Sequence, residues 1–487
     1  MSAASPLRST MQGKPAEFST LTSEFVFVML CSMGQLLFAL FLGDVVVNQV
    51  TFLEIMKINP ANTPWVVGSF LLPSGITVIV FGSLADLTNP KWLMVASFGW
   101  LTIWNLVGVF AATPSLSILF FIVRAMQGLS IGAMQSTALS LLGRVYSPGI
   151  RKTRVFSTMS AMTPVGFCIG CLQGGALSSH PDWIFGSNSI VCGLCCALTV
   201  WALPSMTASD STVSLKDFDL LGATFAVLGC GLVIFGLTQG VPSDWSPYTY
   251  CLIIVGVLCF GIFYFIERRA TRPLVDNRLW TTPGFVPLAA SYFLGYGAYV
   301  GGWMFYAVRF FLTIQRQTPL TVALYMIPNV ISGVIGTWVV TKTLHVFPGH
   351  WVLAFGMIAF AMGPVFFLPQ TSTTIYWAFA MPGITLVTLG PDLSFAAASI
   401  FITSSVPKSF QGSAGSLLMT IQNIAAAIMT AVSDSIGKQA SSSTGYELDL
   451  DALRAIWWFS LGASLLGVII CVTVLRIPRS EEKDHVS

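Results

Sequence analysis

Charge is what this sequence has least of. Only 9% of its 487 residues are Asp, Glu, Lys or Arg, where soluble domains carry about 25%. That little charge lies in short segments between long apolar runs. With 54% hydrophobic residues and a mean hydropathy of +0.78, a soluble globular fold is excluded and the chain reads as an all-α polytopic membrane protein. Histidine is nearly missing as well. His180, His345, His350 and His485 all fall in expected loops or in the tail, so no His is available within the membrane as a base or metal ligand. There is no Asn-x-Ser/Thr acceptor and no phosphate-cradling G-x-x-x-x-G-K-[ST] loop, which argues against ATP-driven transport. A net charge of +3 gives no reason to expect nucleic-acid binding. Residues 1–24 lack the apolar core and cleavage site of a signal peptide, so the first apolar run is expected to stay in the protein.

Ten cysteines are present, and Cys168/Cys171 and Cys192/Cys195/Cys196 approach a C-x-x-C spacing. All ten lie within apolar runs with no His near, where Cys acts as a small hydrophobe. No metal and no cofactor is expected.

The apolar runs divide into about fourteen segments, each near the ~20 residues that the hydrocarbon core demands: 25–49, 63–85, 92–112, 115–143, 155–177, 183–203, 220–239, 248–266, 284–310, 319–341, 351–369, 374–404, 412–436 and 453–475. Cytosolic loops collect Lys and Arg. With both termini inside, 17 of the 23 basic residues fall on the cytosolic side and five outside; an odd helix count would spoil that asymmetry.

The remaining cation is Arg124, within the fourth run. A guanidinium at the centre of a lipid-spanning helix costs roughly 2.5–3.5 kcal/mol even on a lenient scale, so it is expected to face the bundle interior. Gln127 and Gly128 follow on neighbouring faces. The intramembrane acids away from helix ends reduce to Asp44 and Asp392. Burial penalises a carboxylate and a nearby Arg favours it, so such an acid can take up and release a proton as a cavity opens to either side. Asp44 or Asp392 is the expected proton carrier, with Arg124 and Gln127 tuning it; the other reading is that Asp44 is solvated near the outer end of its helix and that Asp392, after Gly390-Pro391, satisfies freed backbone amides. On the ninth run Tyr292, Tyr296, Tyr299, Trp303 and Tyr306 recur at spacings of 4, 3, 4 and 3, which places all five on one face of an α-helix. A Tyr/Trp face suits a pocket that stacks on flat or cyclic compounds; packing against a neighbouring helix is the other reading. Gln35, Gln127, Gln422 and Asn423 are candidate polar contacts.

Several motifs carry a family resemblance. Gly82-Ser-Leu-Ala-Asp86-Leu-Thr-Asn-Pro-Lys91 resembles the loop between helices two and three of the major facilitator superfamily, in which an Asp at a helix end pairs with loop cations and latches a gate. Here Lys91 is the only loop cation. Arg124-Ala-Met-Gln127-Gly128 is similar to the R-x-x-Q-G signature of that superfamily's fourth helix. Pro164, Gly166, Gly170, Gly174 and Gly175 resemble the proline-glycine motif of its drug-proton antiporters, where glycines let helices approach and proline frees a carbonyl. Phe218-Asp-Leu-Leu-Gly through Glu267-Arg-Arg resembles the extra helix pair of fourteen-helix members, and Val406 to Ser416 resembles a helix-thirteen entry of fungal ones. Of the family's helix-one pattern, Gly43-Asp44 and Asn48 remain; Asn48 is counted with the cavity.

The resemblance covers residues 25–476 and implies a major facilitator fold: a cytosolic tail (1–24), a six-helix half (25–203), a link with an inserted helix pair and charged loop (204–283), a second six-helix half (284–475) and a cytosolic tail (476–487), the halves being related repeats. The activity it implies is proton-coupled efflux of small organic compounds such as toxins, drugs or secondary metabolites, by a monomer in the plasma membrane or, alternatively, the vacuolar one. The expected partners are the small-molecule substrate, the proton and the lipid bilayer. Uptake or facilitated diffusion of a small polar or inorganic solute is the alternative. A membrane enzyme or receptor is disfavoured, since no His/Asp or Ser/His pair stands ready to activate a nucleophile.

Overall fold

A hydrocarbon core offers the backbone no water, so each crossing must satisfy its own N–H and C=O groups, and this chain does so with helices alone. The structure, a computed structural model, describes residue 18 and residues 20–146, 150–203, 218–270, 273–275, 277–343, 347–406, 411–441 and 448–477; no strand occurs among them.

The first half comprises α1 (Leu21–Val46), α2 (Thr63–Leu87), α3 (Pro90–Ala111), α4 (Ser117–Val145), α5 (Ile150–Ala176) and α6 (Asp182–Ala202). The inserted pair is α7 (Leu220–Gly240) and α8 (Pro247–Glu267). The second half holds α9 (residues 285–314), α10 (Pro319–Tyr325 and Ile327–Thr343), α11 (Gly349–Phe367), α12 (Ala380–Val387 and Leu389–Ser405), α13 (Gln411–Ala440) and α14 (Leu450–Thr473). Starts are chemically marked. Thr20 and Ser23 form a capping box at α1, and Asp219 and Asp449 accept from the backbone at α7 and α14, satisfying donors that a helix leaves open.

Thirteen of these segments among the described residues are long and apolar enough to cross a membrane. The remaining long segment is α9, which is helical without a break but changes type: α over Phe285–Tyr296, π over Gly297–Met304, α over Phe305–Arg309 and π again over Phe310–Ile314. Two π stretches are unusual, and the first lies in close contact with its neighbours. A Cβ at Gly301 would lie 2.6 Å from the carbonyl oxygen of Ala426 and from the amide of Thr430, both on α13. Ser460 of α14 donates to the Ala298 carbonyl at 2.9 Å, serving an acceptor in the widened turn.

The two halves pair their helices in the same order: α1 with α5, α2 with α4 and α3 with α6 in the first, α9 with α13, α10 with α12 and α11 with α14 in the second. Across the seam α2 meets α13 and α5 meets α10. The inserted α7 touches both α2 and α13, anchored where Trp65 donates to Gln239 at 3.1 Å. Much of the outward surface is apolar, as on α8, where Ile254, Val257, Leu258 and Phe265 are exposed, which suits contact with lipid.

Candidate functional site

Small residues set the geometry of the first half. A Cβ at Gly166, Gly170 or Gly174 of α5 would fall on the carbonyl oxygens of Leu36, Leu40 and Asp44 of α1. These positions advance by four on both helices, so the backbones run in direct contact. Gly128 of α4 meets the Phe70 carbonyl of α2 in the same way. Such closeness leaves no room for water between the helices and brings α5 onto α1 and α4 onto α2.

Within that bundle lies a buried polar network. Arg124 is wholly buried and donates through Nη1 to Gln127 Oε1 at 2.9 Å; Gln127 Nε2 donates to Asn105 Oδ1 of α3 at 2.8 Å. The guanidinium lies 4.6 Å from the centre of the Phe70 ring, a cation–π contact. Asp44, also buried, accepts from Asn188 of α6 at 2.8 Å. Asn48 donates to the carbonyls of Asp44 and Gly174, at 2.9 and 2.8 Å. Asp44 and Arg124 act on each other electrostatically, yet Arg124 donates to one neutral amide and Asp44 accepts from another. Among the described residues, Asp44 Oδ1 and Arg124 Nε and Nη2 have no hydrogen-bond partner.

The second feature is a cavity of about 110 Å³ between the halves. Gln35 and Phe38 of α1, Gln135 of α4 and Phe167 of α5 wall one side; Tyr296 and Tyr299 of α9, Asp392 of α12 and Gln422 and Asn423 of α13 wall the other. Gln135 donates to Gln35 at 3.2 Å, Tyr296 donates to the Pro391 carbonyl at 3.1 Å, and Asn329 donates to the Tyr299 hydroxyl at 3.3 Å. Asp392 Oδ2 is buried without a hydrogen-bond partner among the described residues, in a space kept by Gly336, whose Cβ would approach it to 2.7 Å. Toward the face where α1 ends, the halves close: Gln49 donates to the Phe305 carbonyl at 3.3 Å, and Gly175 packs on Leu320.

The tyrosine and tryptophan stripe is divided by the π turns of α9. Tyr296 and Tyr299 reach the cavity. Tyr292 lies behind, its hydroxyl 3.5 Å from that of Tyr296. Trp303 is wholly buried, stacked on Tyr299 and edge-on to Phe367, and Tyr306 donates to the Thr430 carbonyl at 3.0 Å. Gln127 and Asn48 belong to the network of the first half and not to the cavity wall. Pro164 sits on the cavity wall and against Gly333 of α10. Gly82 faces Ser416 of α13 across the seam. Lys91 is largely buried, its ammonium 5.9 Å from the Trp92 ring centre; the side chain of Asp86 lies outside the described residues.

Residues beyond the expected set also matter. Asn105 and Asn188 complete the Arg124 and Asp44 networks, and each is a lone amide in an apolar run, a signal present in the sequence. Asp434 of α13 is buried and feels the charge of Arg309. At the start of α1, Glu24 accepts from Tyr146 at 2.9 Å and from Arg151 Nε at 2.9 Å, with a second, ion-paired contact to Arg151 Nη2.

Known proteins resemble this chain in sequence and in fold. The chain is 30% identical over 438 residues to the low affinity ammonium transporter of Saccharomyces cerevisiae, covering 88% of this chain and 84% of that one. It is 27% identical to the efflux pump terJ of Aspergillus terreus, covering 93% of this chain and 88% of that one. In fold it resembles a crystal structure of a POT family transporter bound to a thioalcohol-conjugated peptide, with a TM-score of 0.68 at 11% identity over 92% of this chain and 96% of that one. The Major Facilitator Superfamily profile matches residues 25–430. The chain is therefore a transporter rather than an enzyme, and it belongs to the Major Facilitator Superfamily.

Proposed function

We propose that this transporter couples the downhill entry of protons to the efflux of small organic compounds by alternating access, with Asp392 as the proton-exchanging acid of the cavity and Asp44 and Arg124 as a coupled pair in the first half. The observation that carries the reading is Asp392 itself, a carboxyl in the wall of the cavity between the halves with no Lys, Arg or His among the described residues of that wall. An unpaired carboxylate held away from water is costly, so occupancy by a proton or by substrate stabilises it and emptying destabilises it. That is the asymmetry an exchanger needs. The likeness to terJ, named an efflux pump, supports outward transport. The glycine seam along α1 and α5 supports rocking of rigid halves about a fixed site.

We further place both termini in the cytosol, on the distribution of basic residues, and the protein in the plasma membrane as a monomer whose five segments act as two halves with an inserted pair. A second reading, passage of a small polar solute, is favoured by the size of the cavity and by the relative named an ammonium transporter. The deciding experiment is uptake into inside-out vesicles, with and without an imposed pH gradient, of a panel of dyes and small metabolites by wild type, Asp44→Asn and Asp392→Asn. Gradient-driven uptake lost in Asp392→Asn is expected; uptake indifferent to the gradient overturns the antiporter reading.

A further inference from the structure

We infer that the cavity selects a small monovalent organic cation, of the protonated-amine or guanidinium class, seated between the Asp392 carboxyl and the rings of Tyr296 and Tyr299. This rests on the reading of that cavity as the substrate site.

Three observations converge. The first is sign: among the described residues of the wall, Asp392 is the one charged group and there is no cation. An anionic substrate would meet an acid and no counter-charge, whereas a cation supplies the missing partner of a carboxyl whose Oδ2 is unpaired among the described residues. The second is the character of the wall. Phe38, Phe167, Tyr296, Tyr299 and Phe395 bring five aromatic rings to a small space, and the negative face of an aromatic ring attracts ammonium and guanidinium groups, most strongly where water is excluded. Side-chain carbonyls from Gln35, Gln422 and Asn423 in the same wall can accept from N–H donors. The third is size. At about 110 Å³ the cavity falls well below the roughly 300–1,000 Å³ of sites for drug-sized ligands. Gly336 belongs to this design, because any side chain there would press on the Asp392 carboxyl and narrow the space further.

Guanidinium and urea provide the test, since they share a planar shape and differ in charge, and guanidinium stays charged at every pH of interest. Purified full-length protein in liposomes preloaded with one unlabelled compound is assayed for counterflow of the same labelled compound; a bulky neutral dye is run alongside. Wild type is expected to exchange guanidinium and not urea or the dye. Asp392→Asn is expected to lose guanidinium exchange by roughly thirtyfold or more, the affinity cost of removing one charge of a buried pair, while eluting as a monodisperse particle with an unchanged melting profile. Asp392→Glu, which keeps the charge, is expected to retain measurable exchange. Urea or dye exchange without guanidinium exchange overturns the cation inference and leaves transport through this cavity standing. Exchange of guanidinium that Asp392→Asn and Tyr299→Leu leave intact moves the site elsewhere, and overturns both the inference and the cavity assignment.

Discussion

Arg124 donates to Gln127, three residues along its own helix, at 2.9 Å, and not to the acid whose charge it feels. Gln127 passes the contact on to Asn105 at 2.8 Å, so one amide orients the guanidinium and is itself oriented from α3. Gln127→Leu is expected to destabilise the protein by about 1–3 kcal/mol, since it strands a buried charged donor. Adding Asn105→Leu is expected to cost little more, because both changes break one chain of bonds. Thermal unfolding in detergent of the two single variants and the double variant measures this; simple additivity would show that the residues act independently.

The α1–α5 seam makes a sharper demand. Gly170→Val has no space, since its Cβ would fall on the Leu40 carbonyl, and relief requires the two backbones to part. Loss of folded protein is expected. At Gly231 and Gly261, on the inserted pair, an added Cβ would meet nothing within 4 Å, so Gly231→Ala and Gly261→Ala are expected to match wild type in yield and size-exclusion profile.

Tyr299 and Trp303 are four residues apart and differ in consequence. Trp303 is wholly buried among Tyr299, Phe367 and Gly363, and Trp303→Ala is expected to cost about 3–5 kcal/mol as a core truncation. Tyr299→Phe loses only the hydroxyl that accepts from Asn329; it is expected to leave the melting temperature near wild type and to change which compounds are exchanged. Melting curves and transport panels, read side by side, separate the two roles.

At the start of α1 the Tyr146 phenol donates to Glu24. Burial first, then that bond, holds the phenol above its ordinary value of 10.0. The folded chain therefore keeps the proton where the unfolded chain releases it. The contribution to stability is full below about pH 10 and falls as pH rises further. The melting-temperature gap between wild type and Tyr146→Phe is expected to be constant from about pH 7 to 9 and to shrink above about 10. A gap that widens with alkalinity would contradict the assignment.

The apolar helices are legible in the sequence because lipid imposes length and composition on each segment; thirteen of the fourteen expected runs qualify as spans among the described residues. Arg124 stands out for the same reason. Its partners do not: Asn105 and Asn188 sit on α3 and α6, and which face of an apolar helix turns toward a distant Arg or Asp is decided by tertiary packing. A constant helical turn would give the five aromatic residues of α9 one environment, but with π turns over Gly297–Met304 Tyr296 and Tyr299 line the cavity, while Trp303, still stacked on Tyr299, and Tyr306 are packed in the core. The same stretch meets α13 closely at Gly301, a long-range contact that local spacing does not reveal. Asp434 lies close to a helix end in sequence, which hides its burial, while in space α9 and α14 cover that end of α13.

Coupling is tested most directly by running the cycle backwards. Proteoliposomes containing a pH-reporting dye, with no imposed pH gradient, receive a gradient of a transported compound alone. Exchange through Asp392 requires protons to move opposite to the substrate, so the lumen pH is expected to shift as the compound crosses and the shift to vanish in Asp392→Asn. Substrate crossing at the wild-type rate while the lumen pH stays constant would contradict proton antiport.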